Sequence, residues 1–408
     1  MHPTIERARQ AGLAALQPSA RDLEYGLALH RRCLVIDGYG FGAMGAADPA
    51  RLRALAAAGA SERELADARE DGSMTRWASD AAQFQEAAEA WEAAGVDCVW
   101  INAGEESNEI GTLFKRLGRR TYACDLRPEF IRRAACPEDI PAAKDAGRRC
   151  LTMTANGVPL PQRWESVEDE LSFIRPLFQL GVRMAHLVYQ RSNPIGQGCG
   201  EPHDAGLTDF GRAVVAAMNR VGMIVDVAHA GMQTSLDAAR CSDRPMVASH
   251  TVCHGLHPHF RGKNDAVMRA IADTGGCIGI CAIGRFLGGT CDLRAFLDHV
   301  QYALNLVGPD HVSIGTDVAY AIAPPPSAAA AGSPLPARPP QRPHWRSLWP
   351  EGPAVTPAPG ADLSLAWTNV PLITVGMVQR GLSDEVIAKV MGGNCLRVAK
   401  ALWDGREP

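Results

Sequence analysis

The chain lacks the features that would assign it to a membrane, a secretory route or a nucleic acid. No run of its 408 residues approaches the about 20 consecutive apolar positions of a membrane-spanning helix. The first twenty residues, MHPTIERARQAGLAALQPSA, mix charges with apolar residues and contain no apolar core of signal-peptide length. Net charge is only −4, with no basic stripe, which argues against a nucleic-acid groove. The twelve cysteines include no CxxC pair, so the expectation is reduced thiols in a cytoplasmic protein rather than a disulfide frame. No GxxxxGK[ST] phosphate loop occurs, which disfavours nucleotide binding. Aromatic residues make up 6% of the chain and charged residues 21%, alongside 46% apolar residues, an ordinary composition for a large folded domain.

What is present is an alternation of short apolar runs and helical segments. Eight runs read as buried strands: Cys33–Asp37, Val96–Asn102, Cys150–Thr154, Val182–Val188, Met223–Ala228, Pro245–Ser249, Gly276–Cys281 and His311–Gly315. Helical segments are expected between most of them, among them Ser79–Gly95, Val167–Leu180, Leu207–Val221, Met232–Arg240 and Leu293–Leu306. The stretches 108–120 and 128–133 also read as helical. Eight β/α units predict an α/β fold, a TIM-like (β/α)8 barrel, with an open doubly wound sheet as the other arrangement. The expected organisation is a helical N-terminal extension over 1–32, a barrel over 33–320, a Pro/Ala/Gly-rich insertion over 321–366 and C-terminal helices over 367–408. The insertion cannot be regular helix or strand. It is placed to cross the barrel mouth, with His344, Trp345 and Trp349 as residues that would cap a substrate.

Chemistry concentrates at strand ends. His229 and His250 follow successive strand runs, and Asp317 follows the eighth. In parallel α/β folds the carboxyl ends of strands carry the active site. Neighbouring strands lie about 4.8 Å apart, so two imidazoles in these places reach one ion. Two imidazoles and a carboxylate suit Zn²⁺, with Asp317 as ligand or as the base that takes a proton. Arg261, in the loop after the sixth strand, has the fork geometry that binds a substrate carboxylate through two parallel hydrogen bonds.

The order DVAHAG, SHTVCHGLHPHFRGKNDAVMRAIADTGGCIGI, HVSIGTDV and GGNCLRV resembles the renal or membrane dipeptidase family, peptidase family M19. The strongest match is GLTDFGRAVVAAMNRVGMIVDVAHAG, and the resemblance covers roughly residues 33–402 apart from the insertion. It implies a TIM-like barrel of the metal-dependent hydrolase type, a binuclear zinc site, hydrolysis of dipeptides and a possible homodimer. It implies metal-ligand roles for His229 and His250, a ligand or acid/base role for Asp317, and carboxylate binding by Arg261. The chain departs from that pattern elsewhere. Tyr39 and Phe41 stand where the family has a His-x-Asp pair, Ala155 or Asn156 where it has a bridging glutamate, and Tyr189 where it has a substrate-contacting histidine. A single ion per chain is therefore expected, with the second site doubtful.

The function expected is a divergent metal-dependent dipeptidase or amidohydrolase that cleaves a small carboxylate-bearing amide, such as a dipeptide or an N-acyl amino acid. Catalytic roles fall to Asp317, Tyr189 and Tyr39. Substrate contacts fall to Arg261, Tyr189 and Asn193. Cys199, Glu201, His203 and Asp204, in the loop after the fourth strand, are candidates for a replacement ligand. Two alternatives accompany this reading: a lyase or decarboxylase step with Tyr39 and Tyr189 as acid/base groups, and a non-catalytic protein that keeps the barrel. The partner expected is a small-molecule substrate, with no nucleic acid and no membrane.

Overall fold

The computed structural model describes residues 1–105, 110–158, 160–324 and 349–403. His344 and Trp345 of the expected cap lie outside these residues. Eight parallel strands form a nearly closed barrel: β1 (Ile36–Gly40), β3 (Cys98–Glu105), β5 (Arg149–Asn156), β6 (Val182–His186), β7 (Ile224–Asp226), β8 (Val247–Thr251), β9 (Cys277–Ile280) and β10 (Val312–Ile314), hydrogen-bonded in that order. β1, β6, β7, β8, β9 and β10 are buried at every residue, because helices cover the barrel outside and side chains fill it inside. That double cover makes them legible as continuous apolar runs.

The seam between β10 and β1 closes at its carboxyl end. The Asp317 amide donates to the Tyr39 carbonyl (2.9 Å) and the Phe41 amide to the Val318 carbonyl (3.2 Å). Buried Asp37 ties the same seam through its carboxylate, which accepts from the Thr316 amide (2.8 Å), the Thr316 hydroxyl (2.6 Å) and the Trp367 indole (3.2 Å). Beyond the seam, β2 (Gly42–Met44) pairs in parallel with β11 (Ala319–Ala321). Gly40–Gly45 spells GxGxxG, but here it runs into a strand rather than a helix N-terminus, so no helix end faces a phosphate.

The intervening helices carry local signals. The helix Asp209–Val221 starts at Thr208, whose hydroxyl accepts from the Gly211 amide (2.9 Å), and ends at Gly222 in the left-handed region (φ 86°). The helix Ala81–Ala94 is capped by Asp80 and stopped by Gly95 (φ 56°). The stretch expected as one helix over 167–180 divides into Val167–Ser172 and Ile174–Gln179. Pro176 has no amide to give the Ser172 carbonyl, so a continuous ladder cannot form there. One element differs in kind from the sequence expectation. Ile131–Arg133 is strand β4, paired with β5, not helix. Within the expected C-terminal helices, Val370–Gln379 is buried from Val370 to Met377 and shows no amphipathic period because it is covered on every side. The N-terminal helices Pro3–Leu16 and Ala20–Arg32 pack near it. A Cβ at Gly26 would come within 2.8 Å of the Val375 Cα, so only glycine permits that close crossing.

After the insertion the chain returns across loops at the barrel's carboxyl end. The Ala358 amide donates to the Thr290 carbonyl (3.1 Å), and Gly352 lies against the ring of His259. Trp349 is half-buried. Among the described residues no helix is long and apolar enough to cross a membrane.

Candidate metal centre

Three histidines meet inside the carboxyl end of the barrel. His186 is the last residue of β6, His229 follows β7 by three residues, and His250 lies within β8. One ring nitrogen from each lies within 4.8 Å of the others, and all three residues are buried, with exposures of 1%, 5% and 0%. The Nε2 atoms of His229 and His250 face each other at 3.0 Å. Among the described residues this is the group of potential ligands that converges to such distances. The structure thus brings His229 and His250 together and adds His186, which the sequence reading passed over. The apolar run VRMAHLV continues through Leu187 and Val188, so His186 looked interior to a strand rather than terminal to one.

Each imidazole has a defined neighbour. His186 and Asp226 are register partners on adjacent strands, and Asp226 Oδ2 lies 2.7 Å from His186 Nε2. Asp226 Oδ1 accepts from the Ala228 amide (2.9 Å) and the Ser249 amide (3.0 Å). Burial pushes the Asp226 carboxyl up, but His186 and the Ser249 donor outweigh it and hold the group below its ordinary value. His250 Nδ1 lies 2.8 Å from the Ser249 hydroxyl. Burial, reinforced by the charges of Arg261, His186 and Lys263, holds the His250 pKa well below the usual imidazole value, so the ring is neutral at pH 7 and carries a lone pair for a ligand.

Two tyrosines face these rings. Tyr39 stacks on His250 (centroids 4.0 Å apart, 19° between planes) and Tyr189 stacks on His229 (4.0 Å, 23°). The Tyr39 hydroxyl donates to Asn156 Oδ1 at 2.5 Å. Two of the positions that depart from the family pattern are therefore bonded to one another across the barrel. Phe41 is half-buried and meets the Tyr39 ring edge-on (5.8 Å).

Arg261 is buried beside the histidines. Its guanidinium donates to the Ala228 carbonyl and to the His250 carbonyl (3.2 Å), and Nη2 lies 3.4 Å from His229 Nε2. Buried Lys263 donates to the Ala230 carbonyl and to the Ser235 hydroxyl (3.1 Å), and burial lowers its pKa to about 8. Asp317 adopts a left-handed backbone (φ 58°) and stands outside the three-histidine group. Protein packed around its carboxyl pushes the pKa up to about 6, against the pull of Arg261 and His186.

The loop after β6 spends its polar side chains on itself. Asn193 donates to the Leu187 carbonyl (3.0 Å) and accepts from the amides of Ile195 (2.8 Å) and Gly196 (3.2 Å). Asp204 accepts from the Gln233 amide (2.6 Å) and the Thr234 hydroxyl (2.7 Å) at the start of the helix Met232–Cys241. Glu201 accepts from the Ser192 amide (2.8 Å), and the Cys199 thiol donates to Gln190 (2.8 Å). His203 is exposed. None of these four loop residues joins the histidine group.

The sequence pattern of the family described as membrane dipeptidase (peptidase family M19) matches residues 49–326. The chain belongs to that family. Dipeptidase tcpJ of Claviceps purpurea is 29% identical over 296 residues, 71% of this chain and 60% of its own length. Dipeptidase aclJ of Aspergillus oryzae is 32% identical over 152 residues, 36% of each protein. The chain thus spans less than two thirds of the curated relatives it matches. Among solved structures, an amidohydrolase from Pseudomonas aeruginosa superposes with a TM-score of 0.68 at 23% identity, covering 93% of this chain and 99% of that one. A metallo peptidase from Rhodobacter sphaeroides, liganded with a phosphinate mimic of the dipeptide L-Ala-D-Ala, superposes with a TM-score of 0.63 at 16% identity, covering 91% and 99%. At these identities the superpositions establish the barrel fold.

The donor set fits the metal that the family implies. Buried imidazoles suit zinc and similar borderline ions. Their convergence in a water-poor interior is costly unless a cation or a hydrogen bond occupies their lone pairs.

Proposed function

We propose that this member of the family is a zinc-dependent dipeptidase or amidohydrolase that cleaves a small amide bearing a free carboxylate. The observation that carries this reading is the approach of His229 and His250 Nε2 atoms to 3.0 Å at the ends of adjacent strands, with a permanent cation, Arg261, beside them. Zinc, when bound, supplies Lewis-acid polarisation of a carbonyl and activation of water. The chain's own groups do the rest. His229 and His250 hold the ion, and Arg261 gives a substrate carboxylate its counter-charge. Asp317, with a pKa of about 6, gives up and takes back a proton near neutral pH. Tyr39 and Tyr189 fix the imidazole planes by stacking. The names of the fungal relatives support the dipeptide class. The twelve cysteines are free thiols, which supports a reducing, cytoplasmic setting.

The test uses protein purified without chelator, assayed for metal and for hydrolysis of a panel of dipeptides and N-acyl amino acids. The expected result is one equivalent of zinc per chain. Stripping the ion lowers hydrolysis at least ~10-fold, and adding zinc back restores it. A metal-free protein that hydrolyses none of the panel, or one whose rate ignores the chelator, overturns the reading.

A further inference from the structure

His186 is the buried group that the proposed function leaves without a role. It is 1% exposed, and Nδ1 finds no hydrogen-bond partner among the described residues. An imidazole so placed costs free energy comparable to a lost hydrogen bond unless something takes its lone pair. Its other nitrogen, Nε2, meets Asp226 at 2.7 Å. Asp226 is itself outside the group of converging ligand atoms. With Nε2 engaged by the carboxylate, Nδ1 is the nitrogen left to take a ligand. Asp226 is held in place, because its other oxygen accepts from two backbone amides, Ala228 in the turn after β7 and Ser249 in β8.

We propose that His186 is the third metal ligand, binding through Nδ1, and that Asp226 is the carboxylate that orients it. The site would then be one ion on three imidazoles, from the end of β6, the turn after β7 and β8. This rests on the metal-dependent reading above and adds the residues that make a mononuclear site sufficient. A carboxylate behind a ligating histidine fixes the ring and raises the basicity of the ligating nitrogen. Here it also sets a negative charge near the cationic neighbours Arg261 and Lys263. Two of the ligands, His186 and His250, stand on barrel strands paired on both sides, and His229 lies in the turn three residues beyond β7.

The experiment compares wild type, His186→Asn and Asp226→Asn. Metal affinity is measured by chelator competition, and the Co²⁺-substituted protein is examined by visible absorption. Circular dichroism of the metal-free proteins checks the fold. The proposal expects His186→Asn to bind zinc ~100-fold or more weaker and to lose the strong visible bands of a four-coordinate cobalt site. It expects Asp226→Asn to bind ~10–100-fold weaker with those bands shifted but present. If His186→Asn does not fold, Asp226→Asn decides the matter by the same two readouts. A folded His186→Asn variant with wild-type affinity and spectrum overturns the proposal and shows His186 to be only an ion-pair partner of Asp226, while leaving the metal-dependent reading intact. Wild-type protein that binds no metal overturns both.

Discussion

His250→Ala is expected to empty the metal centre and to lower turnover by roughly a thousandfold or more, the scale of removing a group on which the chemistry depends. The ring is fully buried in β8, so no solvent-side residue is placed to replace it. Its tautomer follows from its contacts. Ser249 Oγ sits 2.8 Å from Nδ1, and a proton on Nδ1 donated to that hydroxyl leaves the Nε2 lone pair aimed at His229. Because burial and the neighbouring cations keep the ring neutral, that lone pair is present at pH 7 without competition from a proton. Loss of the ring also removes the surface on which Tyr39 stacks and leaves a cavity, costing about 2–4 kcal/mol of stability. The two effects separate in one experiment. Free imidazole added to His250→Ala refills the cavity, returning part of the metal affinity and part of the rate. A folded His250→Ala protein that keeps its zinc and its full rate would show that the centre lies elsewhere.

The contrast between His250 and His186 shows how far residue order reaches into this molecule. Parallel strands covered on both faces are largely apolar, so the barrel strands stand out as runs, although the first run starts three residues ahead of β1, and His229 and His250 stand out where their runs stop. His186 ends a strand too. Its signal is erased because Leu187 and Val188 prolong the apolar run beyond the last paired residue. Asp226 is lost for a similar reason, since DVAH reads as the close of a strand and nothing local says that the carboxylate faces the adjacent β6. Val370–Gln379 was legible only as part of a helical C-terminal region, without bounds, because a helix buried all round has no polar face to set a period. β2, β4 and β11 are three residues each, too short for any pattern, and exist only because a neighbouring strand pairs with them. Asn193 was picked out by its position in a Gly- and Pro-rich loop near the site, and there its side chain gives its amide to the Leu187 carbonyl and accepts from the Ile195 amide. Periodicity reports burial, and burial alone does not say which buried polar group another strand will meet.

Acid is expected to destabilise the protein well above the range in which carboxylates titrate, and a large part of the cause lies outside the metal centre. His30 and His299 are buried structural histidines, with pKa values lowered to about 4, chiefly by burial. For His30 the charges of Lys144 and Arg31 add to that effect, and for His299 that of His257, while backbone carbonyls oppose it. Their contacts require the neutral ring. His299 Nδ1 accepts from the Cys253 amide (2.9 Å), so its proton sits on Nε2, which donates to the Leu287 carbonyl (2.9 Å). His30 Nε2 donates to the Gly95 carbonyl (3.2 Å), leaving Nδ1 to accept from the Thr374 hydroxyl (2.9 Å). A second proton on either ring places a charge in the interior, and in His299 it also strands the Cys253 amide. The folded pKa lies below the unfolded value of 6.5, so the unfolded state binds more protons as pH falls. The stability these groups contribute is present above pH 6.5 and is lost progressively from there down to about 4. Each group costs about 1.4 kcal/mol per pH unit within that window, so the pair removes about 3 kcal/mol near pH 5.5, a substantial part of the 5–15 kcal/mol typical of a folded domain. Urea midpoints measured from pH 7 to 4.5 on wild type and on His30→Gln/His299→Asn test this directly. Gln preserves the donor at Nε2 of His30, and Asn preserves the acceptor at Nδ1 of His299, without a titrating ring at either place. The double variant is expected to start less stable at pH 7 and to show a distinctly shallower fall with acid. A wild-type midpoint that stays flat to pH 4.5, or an equal slope in both proteins, would show that these two rings are not what limits stability in acid.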